Sequence, residues 1–212
     1  MSEPDVTERD VWSAWADVWP ARRRERDGVV DEAILAFAAR HLAGRVLDAG
    51  CGDGAYTSAL RARSFDVLGV DVTPELLTIA RARHPDLRFE EASLARLPFS
   101  DAAFDSTFCL TVLEWAADPV ASLRELRRVT AGPLVLGVLG AGNRTRDVHL
   151  ARFWGGSPMN GLLPWELKLL CEREELGVKD ELGVSRSGVE TGGRDAMTRA
   201  MIWLLACEPS GG

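Results

Sequence analysis

The chain has 212 residues, 46% of them hydrophobic and 27% charged, with a formal net charge of −7. That is the composition of a soluble globular chain able to bury one good core, so a single domain over residues 1–212 is the default. The acidic balance argues against a nucleic-acid backbone as the main partner, because such binding rests on clustered Lys and Arg.

The only dense basic cluster, Arg22-Arg23-Arg24, is followed at once by Glu25 and reads as a solvated helix face. The four cysteines, Cys51, Cys109, Cys171 and Cys207, are far apart with no C-x-x-C spacing, which points to a reducing compartment. No basic-then-apolar leader opens the chain and no apolar run approaches the ~20 residues of a membrane span, so the expectation is a cytoplasmic protein without membrane contact.

Along the chain, Val11 to Trp19 carries Trp12, Trp15 and Trp19 as one stripe at helical spacing, and Asp31 to Leu42 is apolar at the same period. From Arg45 to Leu139 short apolar or β-branched runs alternate with amphipathic segments, the pattern of a parallel sheet covered by helices. The strands are predicted at Arg45–Ala49, Asp66–Val70, Leu87–Glu90, Phe104–Leu110 and Pro133–Leu139. The helices between them are Tyr56–Arg63, Pro74–Arg83 and Pro119–Val129, with Thr73 and Asp118 as N-caps of the last two. Residues 140–161 break the pattern as a long loop or cap, and Pro164–Leu176 resumes a helix. Val178–Ser185 and Ala200–Cys207 are the last two strands, with Ser187–Gly193 between them as a hairpin connection. The organisation is thus 1–44 as N-terminal helices, 45–139 as the core, 140–161 as a loop, and 162–212 as a C-terminal helix and strands.

The first strand runs into Asp48-Ala-Gly-Cys-Gly-Asp-Gly54 and then into a helix. Strand, glycines and helix together bring backbone N–H groups and a helix N-terminus against a nucleotide-like ligand. The spacing of Gly50, Gly52 and Gly54 is G-x-G-x-G rather than the dinucleotide G-x-G-x-x-G, and Asp48 and Asp53 would repel a diphosphate. They suit a cationic ligand without phosphate, and S-adenosylmethionine carries an ammonium and a sulfonium. Asp71 closes the second strand, where a carboxylate can accept from both ribose hydroxyls of an adenosyl or an NAD ligand alike. Asp53 is expected to face solvent or cap the following helix, and Cys51 to pack beneath the turn.

The segments Val46–Gly54, Gly69-Val-Asp71, Leu97-Pro-Phe99, Phe104-Asp105 with its strand, and Arg124–Leu139 together resemble the class I S-adenosylmethionine-dependent methyltransferases. The likeness is to the type 11 branch, which acts mostly on small molecules. It covers about half the chain. It implies a Rossmann-like α/β fold, a seven-stranded mostly parallel sheet flanked by helices with the last strand antiparallel. It also implies that Asp48, Gly50, Cys51, Gly52 and Gly54 hold the methionine end of S-adenosylmethionine. Asp71 would take the ribose, Val72 the adenine face, and Cys109, Leu110 and Thr111 would line the cofactor. Where the family has an adenine-binding Asp the chain has Ser93, leaving Ser93 or the backbone around Leu94 to meet the adenine.

Methyl transfer from a sulfonium is an in-line displacement, so the protein chiefly aligns the partners in a dry pocket and a general base is optional. Glu114 is a candidate base or else a helix-start carboxylate. His149 is a candidate base or else a surface histidine. The three histidines lack metal-ligand spacing, so no metal is expected. Trp15, Trp19, Trp115, Phe153 and Trp154 are the expected substrate-side surface, with the tryptophan stripe either a lid or a packed helix face. Seven tryptophans against one tyrosine suggest a small aromatic or hydrophobic acceptor. Three other readings remain in play: a protein that binds S-adenosylmethionine or S-adenosylhomocysteine without turnover, a tRNA or protein methyltransferase, and a nicotinamide oxidoreductase.

Overall fold

The structure is a computed structural model and describes residues 7–16, 28–142, 160–190 and 193–209. In chain order the elements are α1 (Glu8–Trp15), α2 (Gly28–His41), β1 (Arg45–Ala49), α3 (Ala55–Ala62), β2 (Asp66–Asp71), α4 (Pro74–Arg83), β3 (Arg88–Glu91), β4 (Ser106–Leu110), α5 (Pro119–Val129), β5 (Leu134–Leu139), α6 (Pro164–Arg173), β6 (Leu176–Ser185), β7 (Gly188–Glu190), α7 (Gly193–Arg199) and β8 (Ile202–Pro209). They form one 8-stranded sheet in the order β3-β2-β1-β4-β5-β8-β6-β7. The first five strands of that order are mutually parallel, and β8 is antiparallel to both β5 and β6.

Side-chain alternation on the buried strands makes two cores, one on each face. On β5, Leu134, Leu136 and Val138 face one side, where α5 packs Leu123, Leu126 and Val129 and α6 packs Leu167. Val135 and Leu139 face the other, against Ile34 and Phe37 of α2 and Leu60 of α3. β8 splits the same way, with Trp203, Leu205 and Cys207 on the first face and Ile202, Leu204 and Ala206 on the second. The strand order reverses between β1 and β4, so a crevice opens at the carboxyl ends of those strands.

The expected elements up to Leu139 are present, most with ends within a residue or two. Asp118 caps α5 by accepting from the Ala121 amide at 2.9 Å, ahead of Pro119. Thr73 sits at the N-cap of α4, but its side chain makes no cap hydrogen bond. Phe104 forms an isolated bridge to Thr130, and β4 begins only at Ser106. In the C-terminal third α6 stops at Arg173, because Glu175 takes a left-handed turn (φ 57°) into β6.

The hairpin connection expected at Ser187–Gly193 is instead a short edge strand, β7, paired antiparallel with β6, followed by the start of α7. Gly188 and Gly193 adopt φ 128° and 54°, so these glycines mark a turn and a helix entry. Three-residue and seven-residue elements carry too little periodicity to read from sequence. The sheet accordingly has eight strands rather than seven. No helix among the described residues is long and apolar enough to cross a membrane.

Candidate active site

At the switch point lies an open cleft whose free space, open solvent included, is about 710 Å³. Its floor is the glycine turn. Gly50, Gly52 and Gly54 all have left-handed φ, at 77°, 54° and 78°, a region where a side chain is strained. A Cβ at Gly50 would overlap the Val112 side chain. The amides of Gly50 and Cys51 both donate to the Val70 carbonyl, at 2.8 and 2.9 Å, which ties the turn to β2. Gly50, Cys51 and Gly52 line the cavity, whereas Gly54 serves as the N-cap of α3 with its hydrogen atoms against Phe89.

Asp71 faces this turn from the end of β2. Its carboxylate accepts from the Gly52 amide and from the Thr73 amide, each at 2.9 Å, and it lines the cavity. Burial pushes its carboxyl above the usual carboxylate range, and the two amide bonds pull it part of the way back. The other two carboxylates of the motif turn inward. Asp48 accepts from the Thr57 hydroxyl at 2.6 Å and does not line the cavity. Asp53, expected at the surface or as a cap, is 1% exposed and pairs with Arg83 from the last turn of α4. An ionised carboxylate is buried only with such a partner. The Cys51 thiol is pushed well up by burial, then by Asp48 and Asp71. It packs with Leu77, Ala80 and Phe89 as the expected neutral spacer.

On the far wall, Leu110, Thr111 and Val112 line the cavity, with Thr111 held at φ 54° and its amide donating to Gly137 at 2.7 Å. Cys109 points to the opposite sheet face and into the core. On the β2–β3 side Val72, Ala92 and Leu94 contribute. Ser93 is exposed between the last two, its hydroxyl accepting from the Ala95 amide at 3.3 Å, and it is not part of the lining.

Tyr56, Leu76, Ala92 and Val112 also line the cavity, although sequence reasoning assigned none of them to the site by name, and Trp12 lines it as the lid reading of the tryptophan stripe expected. The Tyr56 hydroxyl donates to Asp31 of α2 at 2.6 Å. Trp12 reaches over from α1 and meets Trp115 edge to face, with centroids 4.9 Å apart at 68°. α1 is further held by Ser13 donating to Glu75 at 2.9 Å and by the Arg9–Glu91 pair at 3.1 Å. A stripe signal placed the tryptophans on one helix face. Only contacts distant in sequence show which of them meets the cavity.

Trp15 is half-buried outside the lining, and Trp115 is buried behind Trp12. Glu114 is fully buried, does not sit on a helix start, and accepts from the Leu139 amide at 2.7 Å; it does not line the cavity. Asn160 clamps the same turn, donating to Leu113 and Ala116 carbonyls at 2.8 Å. The expected Trp19, His149, Phe153 and Trp154 lie outside the described residues.

The family profile described as "Methyltransferase domain" matches residues 47–132, the segment that builds the floor and both walls. The chain is 31% identical over 173 residues to a malonyl-[acyl-carrier protein] O-methyltransferase of Erwinia billingiae, covering 74% of this chain and 67% of that one. It is 37% identical over 112 residues to a demethylmenaquinone methyltransferase of Deinococcus radiodurans, covering 49% of this chain and 46% of that one. Among solved structures, the [4+2]-cyclase SpnF superposes with a TM-score of 0.74 at 20% identity over 100% of both chains. A possible histamine N-methyltransferase of Thermotoga maritima does so at 0.69 and 16% identity, over 93% of this chain and 99% of that one. At such identities the structures speak for the fold alone, and a cyclase shares it.

Proposed function

This chain belongs to the class I S-adenosylmethionine-dependent methyltransferases, and from that premise we propose that its switch-point cavity binds S-adenosylmethionine and methylates a small, largely apolar acceptor. The observation that carries the reading is Asp71. Among the described residues that line the cavity it is the one with a formal charge, and it faces the bare backbone of Gly50 and Gly52. Its carboxylate accepts from the Gly52 and Thr73 amides and still lines the cavity, where a ribose diol would meet it.

In this reading Gly50, Cys51, Gly52, Leu110 and Thr111 surround the methionine end, Asp71 holds the ribose, and Val72 and Leu94 flank the adenine. Asp48, Gly54 and Cys109 act from behind, fixing the turn and β4. Adenine recognition falls to the backbone near Leu94, with Ser93 outside. Bound there, S-adenosylmethionine supplies its methyl carbon to a nucleophile while its sulfur keeps the bonding pair and becomes an uncharged thioether. The chain's own part is to align the partners and keep water out, with Trp12, Tyr56, Leu76 and Val112 as the apolar surface that does so.

The described lining carries no cation, which favours an uncharged acceptor such as a phenol or quinol over a polyphosphorylated one. Likeness to the Erwinia protein favours a second reading, a carboxyl acceptor carried on an acyl-carrier protein. Calorimetry on the full chain with S-adenosylmethionine, S-adenosylhomocysteine and NADH tests the cofactor. Binding of NADH alone would overturn it. Tritiated methyl transfer to demethylmenaquinol, to malonyl-acyl-carrier protein and to a cell extract, followed by mass spectrometry, separates the two acceptor readings.

A further inference from the structure

Resting on the cofactor reading above, we infer that Trp12 reads charge in the cofactor site: its indole stabilises the cationic sulfur of S-adenosylmethionine and so favours the charged donor over its neutral product.

Trp12 lines the same cavity as Gly50, Gly52 and Asp71. The attachments of α1 bracket that cavity. Arg9 and Ser13 are held on the β2–β3 side by Glu91 and Glu75, and Trp12 is held on the β4 side by Trp115. Trp12 is thus held at the cavity between the β2–β3 side and the turn after β4, and shares its lining with both Asp71 and Leu110.

Among the described residues that line the cavity, Trp12 and Tyr56 are the aromatic rings and Asp71 the carboxylate, and of the two rings the Trp12 indole is the one placed to meet a sulfonium. Asp48 and Asp53 are directed to Thr57 and Arg83, and Asp71 to two amides with the ribose beside them. Tyr56, the other aromatic in the lining, has its hydroxyl on Asp31 and its ring tilted against Phe108 at 5.5 Å. Tryptophan has the strongest quadrupole of the natural rings and attracts a cation placed over its face within about 6 Å, more strongly when water is excluded. The edge-to-face contact with buried Trp115 fixes the ring's orientation at little entropic cost. Because transfer discharges the sulfur, Trp12 attracts donor more than product, which lets fresh donor outcompete product for the site without any movement of the floor.

The test is calorimetry of the full chain and of the variants Trp12→Phe and Trp12→Leu with three probes: S-adenosylmethionine, S-adenosylhomocysteine and sinefungin, whose amine carries a cation at the same place. In Trp12→Leu, affinity for the two cations should fall roughly 2- to 30-fold, the equivalent of a cation–π contact. Affinity for S-adenosylhomocysteine should change less than about twofold, and Trp12→Phe should lie between. Equal losses for all three probes, or none for any, would overturn the proposal while leaving the cofactor reading intact. If Trp12→Leu proves unfolded by its melting curve, the ratio in Trp12→Phe decides: a lowered cation preference supports the proposal and an unchanged one defeats it. Failure of the parent chain to bind either adenosyl ligand would instead remove the cofactor reading and the inference together.

Discussion

The floor and the roof of the cavity are held by different kinds of contact. The floor is backbone on backbone: two amides share the Val70 carbonyl, a third meets Asp71, and the glycines between are set at conformations that side chains resist. Among the described residues the roof is one eight-residue helix attached by side chains, of which Arg9 and Glu91 are each about half exposed, at 48% and 47%. The floor is thus preorganised for the part of the ligand that never varies, and the roof can be altered without disturbing it.

The sharpest way to break this contrast is at Gly50. Gly50→Ala places a side chain at φ 77° and drives its methyl into Val112, at a total cost of about 2 to 5 kcal/mol in denaturant unfolding. Adding Val112→Ala should recover the packing share and leave the backbone strain. A neutral Gly50→Ala would show that the floor is pliable and the contrast wrong.

Asp71 comes next. Asp71→Ala should weaken S-adenosylhomocysteine binding by about 1 to 3 kcal/mol, the scale of lost hydrogen bonds to a charged acceptor. Its pH dependence follows from the raised pKa. Ribose hydroxyls donate to the ionised carboxylate, so binding lowers that pKa and releases a proton. Affinity therefore rises with pH through Asp71's raised pKa and levels off above it. Calorimetry across pH should show this slope in the parent and a flat profile in Asp71→Asn.

How much of this was legible in the sequence follows the same division. β1, β4 and β5 were legible because each is an interior strand with a local apolar run, Val46-Leu47, Phe108-Cys-Leu110 and Leu134–Leu139, although β4 starts two residues later than expected, and the turn was legible because its glycines lie close together in sequence. Asp53 was misplaced because its partner Arg83 lies 30 residues away on another helix, and nothing local marks the pair. Tyr56 went unassigned, and the tryptophan stripe was left open between lid and packed helix face, for the same reason, since Tyr56 meets Asp31 across 25 residues and Ser13 meets Glu75 across 62. β7 and α7 were hidden by their shortness. The charge argument does not survive: Asp48 and Asp53, on which it rested, both turn inward, and Asp71, which stays at the cavity, suits the ribose of an adenosyl or an NAD ligand alike.

Glu114 tests whether the wall behind the roof is scaffold or chemistry. Glu114→Gln keeps an oxygen for the Leu139 amide, so it should cost only about 1 kcal/mol of stability and leave S-adenosylmethionine affinity unchanged. A large fall in turnover at unchanged stability and unchanged cofactor affinity would instead make Glu114 part of the acceptor chemistry.

The smallest effect is expected at the roof's outer tie, and its smallness carries the meaning. Arg9 and Glu91 meet at 3.1 Å with both side chains about half in water, where screening and the entropy of two long side chains hold the coupling of such pairs to about 0.2 to 1 kcal/mol. A double-mutant cycle of Arg9→Ala and Glu91→Ala, read by thermal unfolding, should return a coupling at the low end of that range, falling further in 0.5 M salt. Adenosyl-ligand affinity should hardly move, because Trp12 remains against Trp115. If the pair instead proves strongly coupled and its loss lowers affinity for donor and product alike, α1 is fixed from its outer edge, and the roof belongs with the floor as a rigid part of the site.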